Sequence, residues 1–490
     1  MRDLLIGIDI GTTAVKAAVL STDGAVLSRF AAPYATTRAP GGVAEQDPEE
    51  WVRHVRAALD RFAGEGLSHA VAAIGLCGQV NTHAFLNAGG RPVAPAILWQ
   101  DGRAAAEAAE IDGAISDAER LAWFGAPMPV DASHAVPRMR WMARHRPSLW
   151  DLTRHVMLPR DYVLLRLTGT LASDPLSQIG MVGPDLRYVE PLLDHVPGGA
   201  DRMPPLAGAA DRVGTIGDGP FAGCPVACGT MDAWAGLVGA GAAGEGRAAY
   251  LGGTSEILGV SAGAVHGAPG AVVFPEAHGI RLHAAPTQSG GDALRWFADA
   301  HGISVEEALH DASVVKRANV PCVFLPQLQG ERAPLWDASL RGGFIGLDRR
   351  AGRAGMARAV LEGVAFAGRW AFDTVCASAG VAPETVACGG GGFRSDGWAQ
   401  LRSDVFGLPL ARIEMGEPGV LGAAVFAGLA AGFYRDIGDA ARRLSRTGRV
   451  FEPRPDRHRR YTELFGIYKE AVATVGALGT RVARATDGGA

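Results

Sequence analysis

The chain has 490 residues, a formal net charge of −4, 48% hydrophobic and 20% charged residues. That balance excludes a disordered tail protein and argues against a dedicated nucleic-acid binder, and the length exceeds what one hydrophobic core serves, so two domains are expected. Glycine takes 67 of the 490 positions, about twice the usual share of ~7%, without a collagen-like period. The six cysteines (Cys77, Cys224, Cys228, Cys322, Cys376, Cys388) contain no CxxC pair and read as reduced core residues. The opening apolar run is too short for a signal peptide, and no apolar stretch reaches the ~18 residues of a membrane span. A cytoplasmic chain with no membrane partner is expected.

The predicted elements begin with a meander. Residues 4–10 and 14–20 read as strands joined by the tight turn Gly11-Thr12-Thr13, and Asp23-Gly24 turns the chain into a third strand. A helix is predicted over 47–63. Asp47 can cap it, Pro48 suits its first position, and Trp51, Val55, Ala58, Leu59 and Phe62 share one face. Residues 70–76 read as a buried strand, and 224–228 as another before a helix opening at Asp232. After the glycine-rich junction 239–246 the pattern returns. Strand 248–251, turn Gly252-Gly253-Thr254-Ser255 and strand 256–260 echo the opening. Then come a long helix over 353–375, a strand at 385–388, four glycines at 389–392, and helices near 398–406 and 423–431. The expected fold is α/β, in two similar domains with a cleft between them, over 1–240 and 247–435, followed by a C-terminal helical extension over 436–490.

Five motifs carry chemistry. A carboxylate at Asp9, the Gly11-Thr12-Thr13 turn and the cation Lys16 suit a magnesium-bound phosphate, through backbone N–H groups, hydroxyls and a carboxylate. Read alone, the same residues also make an ordinary hairpin turn. Lys16 is one of only three lysines (with Lys316 and Lys469) among the 47 cationic residues, so arginine is the default cation. Gly253 and Thr254 form a second such turn. The glycines at 389–392 permit close backbone approach to a ligand, or simply make a loose loop. Asp232 suits either a general base or a helix cap. Asp101 and Arg103 suit hydroxyl binding, or a solvated surface pair. The GxGxxG match at 239–244 lacks a preceding strand and a following helix, and no Gly-Lys pair exists, so a phosphate-binding P-loop is absent.

In this order the motifs resemble the FGGY family of carbohydrate kinases, most closely its xylulokinase branch. Further matching stretches are Glu45-Gln46-Asp47-Pro48, Gly78-Gln79, 95–99, Leu158-Pro159-Arg160-Asp161-Tyr162, 330–334, 359–363 and 419–424. The resemblance implies a pair of ribonuclease-H-like domains of the actin and hexokinase type. It implies ATP and Mg2+, and phosphorylation of a ketopentose hydroxyl, xylulose first; ribulose, L-xylulose, erythritol and glycerol are alternatives. By motif, Asp232 is the catalytic base and Asp9 the metal residue. Gly11, Thr12, Thr13 and Lys16 take one phosphate site, Gly253 and Thr254 another. Gly390, Gly391 and Arg394 form the adenosine-side loop. Gln79, Val80, Asn81, Asp101, Arg103 and Trp234 fall at the sugar wall. A homodimer is implied too. Three departures stand out. Val80-Asn81 replaces Met-His, and Ala233-Trp234 replaces an Asn after the base, similar to the ribulokinase branch. Arg138 replaces a lysine, which matches the chain's preference for arginine. The rival class is an actin-like ATPase, which needs neither a sugar wall nor a base at Asp232.

Overall fold

The opening aliphatic runs form three antiparallel strands, β1 (Leu4–Ile10), β2 (Ala14–Ser21) and β3 (Val26–Pro33). The structure is a computed structural model that describes residues 2–125, 128–315 and 320–487; residues 488–490 of the expected C-terminal extension lie outside the described residues. The helix α1 (Pro48–Gly64) starts where its cap predicts: the Asp47 carboxylate accepts from the Glu49 N–H at 2.9 Å. Its apolar face, with Trp51, Val55 and Phe62 all at 0% exposure, packs into the core beneath the strands. Burying such side chains is worth about 1.5–3 kcal/mol each. β4 (Val71–Gly78) then returns parallel to β1.

Between β4 and the next predicted strand the chain runs through residues 79–223, for which the sequence supplied no predicted elements. This stretch carries the helix Ala135–His145 and α2 (Pro159–Thr168), and parts of it bury a core of their own around Phe85, Val136, Met139 and Leu192. β5 (Pro225–Ala227) and the two-residue β6 (Thr230–Met231) both pair parallel to β4. Asp232 opens α3 (Asp232–Gly239).

The second half repeats the plan. β7 (Arg247–Gly252), β8 (Glu256–Ser261) and β9 (Leu282–Pro286) form an antiparallel meander. After α4 (Gly291–His301) and the buried α5 (Arg353–Ala379), β10 (Val386–Gly389) pairs parallel to β7, and beyond α6 (Asp396–Phe406) β11 (Leu410–Ile413) pairs parallel to β10. The strand orders β3-β2-β1-β4-β5 and β9-β8-β7-β10-β11 are the same path twice. Thus the echo between the two turns in sequence is an echo between two sheets.

The chain forms two compact units, Met1–Gly239 with Gly419–Leu444, and Ala240–Pro418 with Ser445–Ala490. They divide the chain differently from the expected 247–435 and 436–490. The helix α7 (Pro418–Ala430) from Gly419 onward, and the helix Ile437–Leu444, return to the first unit. Only α8 (Pro455–Asp487) and the strand before it extend the second. The reason is missing side chains. A Cβ on Gly7 would lie 2.1 Å from the Val420 carbonyl oxygen, and one on Gly75 1.9 Å from that of Ala423. Glycines in β1 and β4 therefore let α7 lie directly on the first sheet. All six cysteines are free thiols, and only Cys376 is not fully buried. Among the described residues, no helix is long and apolar enough to cross a membrane.

Candidate active site

The first unit gathers its polar residues at the carboxyl ends of β1, β4 and β6. Asp9 on β1 stands opposite Cys77 on β4, and Cys77 stands opposite Thr230 on β6. Burial first, then the Asp9 and Asp232 carboxylates, push the Cys77 thiol well up and likewise hold the Tyr34 phenol protonated. Both carboxylates therefore act on the same neighbourhood. Lys16 lies directly across from Asp9 in the antiparallel β1–β2 pair, which puts both side chains on one face of the sheet.

The Gly11-Thr12-Thr13 turn is held from several sides. The Gly11 N–H donates to Ala14 O at 3.2 Å, and the Tyr34 hydroxyl donates to Gly11 O. Gln46 donates to Thr12 O at 2.7 Å and accepts from the Trp51 indole at 3.0 Å. Gln79, expected at the sugar wall, is 2% exposed. Its amide donates to Gln46 at 3.3 Å and to Gly11 O at 3.4 Å, and it accepts from the Thr82 hydroxyl at 3.1 Å. Gln79 thus braces the turn from behind. Trp99 completes the brace by donating its indole N–H to the Thr12 hydroxyl at 3.1 Å.

The other expected sugar-wall residues divide. Val80 and Asn81, just past the end of β4, are half-buried. Asn81 adopts φ 54°, donates to Ser133 Oγ at 3.1 Å and gives its carbonyl to Arg138. Asp101 is neither a solvated surface residue nor an open hydroxyl acceptor. It is 2% exposed, and its oxygens accept from the backbone of Ala44 (2.7 Å) and Arg103 (2.9 Å) and from the Arg103 guanidinium (2.7 and 2.9 Å). These donors, led against burial by the Arg103 hydrogen bond, hold its carboxyl below the ordinary range. Arg103 also reaches Glu45 at 2.7 Å and lies over the Trp141 ring. Trp234 has no exposed surface; it stacks on Phe426 of α7, with centroids 5.9 Å apart. Its indole shapes the core behind Asp232 and presents no face to a ligand.

Sequence reasoning missed Arg138, which it read as compositional preference. The fully buried guanidinium donates to the carbonyls of Asn81, Leu98, Ile97 (3.0 Å) and Ala132 (3.1 Å). It ties together three loops that the sequence holds far apart. Gln46 and Arg160 stood in quoted motifs without a role, which was the signal available.

In the second unit, the turn after β7 exposes Gly253 and Thr254 above the start of α4. The Gly291 N–H donates to Gly253 O at 2.9 Å and the Asp292 N–H to Thr254 O at 3.1 Å. The glycine loop after β10 presses against this turn. Gly390 has φ +87°, and a Cβ there would lie 2.4 Å from Gly252 O. Gly391 faces open space, and Arg394 is exposed, 3.7 Å from Glu417. Behind the loop, Arg402 donates to Gly392 O at 3.0 Å, pairs with Glu256 and lies among the Tyr250, Phe393 and Trp398 rings.

Residues 4–239 match the model of the N-terminal domain of the FGGY family of carbohydrate kinases, and residues 248–431 that of its C-terminal domain. The chain belongs to the FGGY family of carbohydrate kinases. It is 32% identical over 441 residues to the xylulose kinase of Escherichia coli (strain K12), covering 87% of this chain and 90% of that protein. The xylulose kinase of Bacillus subtilis (strain 168) is 28% identical over 95% of this chain and 96% of its own. Among solved structures, a xyloylose kinase from Brucella ovis superposes with TM-score 0.85 at 29% identity, over 97% of this chain and all of that one. As an FGGY kinase the protein is an ATP-dependent carbohydrate kinase with two ribonuclease-H-like domains of the actin and hexokinase type, and it uses ATP with Mg2+.

The residues present fit a magnesium-bound phosphate. Magnesium takes oxygen ligands, one or two of them carboxylates, and keeps water and phosphate for the rest. Room at Asp9 depends on a glycine: a Cβ on Gly419 would lie 2.5 Å from Asp9 Oδ2.

Proposed function

We propose that this FGGY kinase transfers the γ-phosphoryl group of ATP to a hydroxyl of a ketopentose, xylulose first. The observation that carries the reading is the position of Asp232. It opens α3 at the end of β6, a strand of the sheet that carries Asp9, and its carboxylate acts together with that of Asp9 on Cys77 and Tyr34. The xylulose kinases among its relatives support the choice of sugar.

In this reading Asp232 accepts the hydroxyl proton as the sugar oxygen attacks the γ-phosphorus and the bond to the ADP oxygen breaks. An alcohol is a weak nucleophile at neutral pH, so a positioned carboxylate matters. The Thr12 and Thr13 N–H groups and hydroxyls, in the turn that Gly11 opens, act with Lys16 to stabilise charge on the transferring group, where most phosphoryl-transfer catalysis lies. Asp9 would hold Mg2+, which supplies charge neutralisation on the phosphates. Gly253 and Thr254 take the second phosphate contact, and Gly390, Gly391 and Arg394 the adenosine side. Val80 and Asn81 meet the sugar with Asp232, while Gln79, Asp101, Arg103 and Trp234 shape that wall from behind. Ribulose is the second candidate, because Ala233 follows the base. We extend the same reading, on the family resemblance, to a homodimer in the cytoplasm.

The test is a coupled ADP-release screen over D-xylulose, D- and L-ribulose, L-xylulose, erythritol and glycerol, with D-xylulose expected to give the highest kcat/KM. Asp232→Ala is expected to lose about 10²–10⁴-fold in sugar-dependent turnover while still binding ATP. ADP release that ignores every sugar would return the protein to the actin-like ATPases. Near-normal sugar phosphorylation by Asp232→Ala would remove that residue from the role of base.

A further inference from the structure

A buried charge cluster lies beneath the segment that leads into Asp232, and the chemistry above does not use it. Arg160, at the start of α2, and Asp174 are each 1% exposed. The Arg160 guanidinium donates through Nη1 to the carbonyl of Cys228 and to that of Gly229 at 3.2 Å. Through Nη2 it pairs with Asp161 and, at 3.1 Å, with Asp174. Asp174 in turn accepts from the Thr230 hydroxyl at 2.8 Å, from the Leu176 N–H at 3.1 Å and from the Ser177 hydroxyl. Three successive residues, Cys228, Gly229 and Thr230, are therefore gripped by one ion pair.

A buried ion pair is weak evidence for stability, because desolvation offsets most of its attraction and apolar residues of equal volume pack as well. What this pair adds is direction. On its N–H side the segment is tied by Cys228 and Gly229, which donate to Asp211 O at 2.9 Å and Ala209 O at 2.8 Å, and the ion pair supplies the hold on its carbonyl side. β6 is two residues long and meets β4 only at Thr230–Cys77 and Met231–Gly78. Gly229 lies at φ +75°, and a Cβ there would come 1.8 Å from Leu76 O, so no side chain can stiffen it. Arg160 also touches the neighbouring strand: a Cβ on Gly78 would lie 3.3 Å from its own Cβ. Gly78 is the residue before Gln79.

We propose that Arg160 and Asp174 are positioning residues that fix the backbone of 228–230 and so aim the Asp232 carboxylate at the sugar hydroxyl. The inference rests on Asp232 being the base. A base must lie within hydrogen-bond reach of its proton, and a displacement of about 1 Å can cost about 10²-fold in rate.

The test uses the full-length enzyme, ATP and the sugar ranked first by the screen. Thr230→Val keeps the shape and removes only the hydroxyl that reaches Asp174; Thr230→Ser keeps the hydroxyl. Thr230→Val is expected to lower kcat about 10- to 100-fold with the KM for ATP within about twofold, and Thr230→Ser to stay within about threefold of wild type. Arg160→Lys should follow Thr230→Val, because the single nitrogen of an ammonium cannot span the two carbonyls and two carboxylates that Arg160 reaches through two separate nitrogens. A wild-type kcat in Thr230→Val overturns the inference, and the Asp232→Ala result is untouched by it. Loss of ATP affinity and of the melting transition together with kcat in Thr230→Val also overturns it, because the hydroxyl then serves the fold at large. If Asp232→Ala stays active, the base assignment fails instead.

Discussion

The Trp99 indole N–H donates to the Thr12 hydroxyl at 3.1 Å, across 87 residues of chain. Because Trp99 supplies that proton, the hydroxyl of Thr12 acts there as acceptor and keeps its own proton for another partner. A residue two positions before Asp101 thereby orients a group of the phosphate turn. Trp99→Phe keeps the ring and deletes the donor. A hydrogen bond of this kind is worth about 0.5–1.5 kcal/mol, so kcat/KM for ATP should fall roughly 3- to 10-fold. Steady-state kinetics at saturating sugar check it, and an unchanged kcat/KM rejects the link.

Arg138 serves four carbonyls on separate loops, and a lysine has one nitrogen to offer. Each buried carbonyl left without a donor costs about 1–3 kcal/mol. Arg138→Lys should therefore lower the urea midpoint. It should raise the sugar KM about tenfold through the Asn81 loop, with the KM for ATP nearly constant. A parallel rise in both constants would show that the clamp is not specific to the sugar wall.

Gly390→Ala places a side chain at φ +87° and 2.4 Å from Gly252 O. A left-handed residue with a Cβ costs about 1–2 kcal/mol before the clash is counted. The KM for ATP should rise about tenfold or more while the sugar KM stays within about twofold. Titration of ATP against the variant measures the same loss at equilibrium.

Glu256 is pushed up to about 7 by burial, against the opposing pull of Arg402 and the Tyr250 hydroxyl, from an ordinary value of 4.5. Its folded value lies above its unfolded one, so between those limits the folded protein binds more protons. The stability this group contributes is present below about 4.5 and is lost as pH rises to about 7. Glu256→Gln cannot titrate. The stability of wild type relative to Glu256→Gln should fall steadily across that window in urea unfolding. A pH-independent difference would place the Glu256 pKa outside it.

The opening strands of both sheets were legible because their signals are local, whereas β9 and β11 had no predicted counterpart. Alternating apolar runs, the Asp23-Gly24 turn and the Asp47-Pro48 cap act between residues a few positions apart, and α1, β1–β4 and β7–β8 stand within a few residues of their predicted limits. The motifs around Asp9, Asp232 and the two turns were legible for the same reason: a turn and a strand end are written in adjacent residues.

The elements of residues 79–223 were not legible, and neither was the return of α7 to the first unit. Local hydropathy reads Arg138, Arg160, Asp101 and Asp174 as surface, yet all four are buried because each meets partners from distant segments. The family resemblance puts Trp234 at the sugar wall, and Phe426 stacks on it. Nothing near Gly7 or Gly75 announces that the backbone of a helix some 350 or more residues later rests on them. The sequence alone decided which chemistry the chain carries, since carboxylates, turn glycines and hydroxyls act by kind and order. Only the tertiary structure decided which polar residues stay exposed and which are buried as braces for the others. That choice depends on which carbonyls and side chains are brought within about 3 Å, a distance the fold sets and chain position does not.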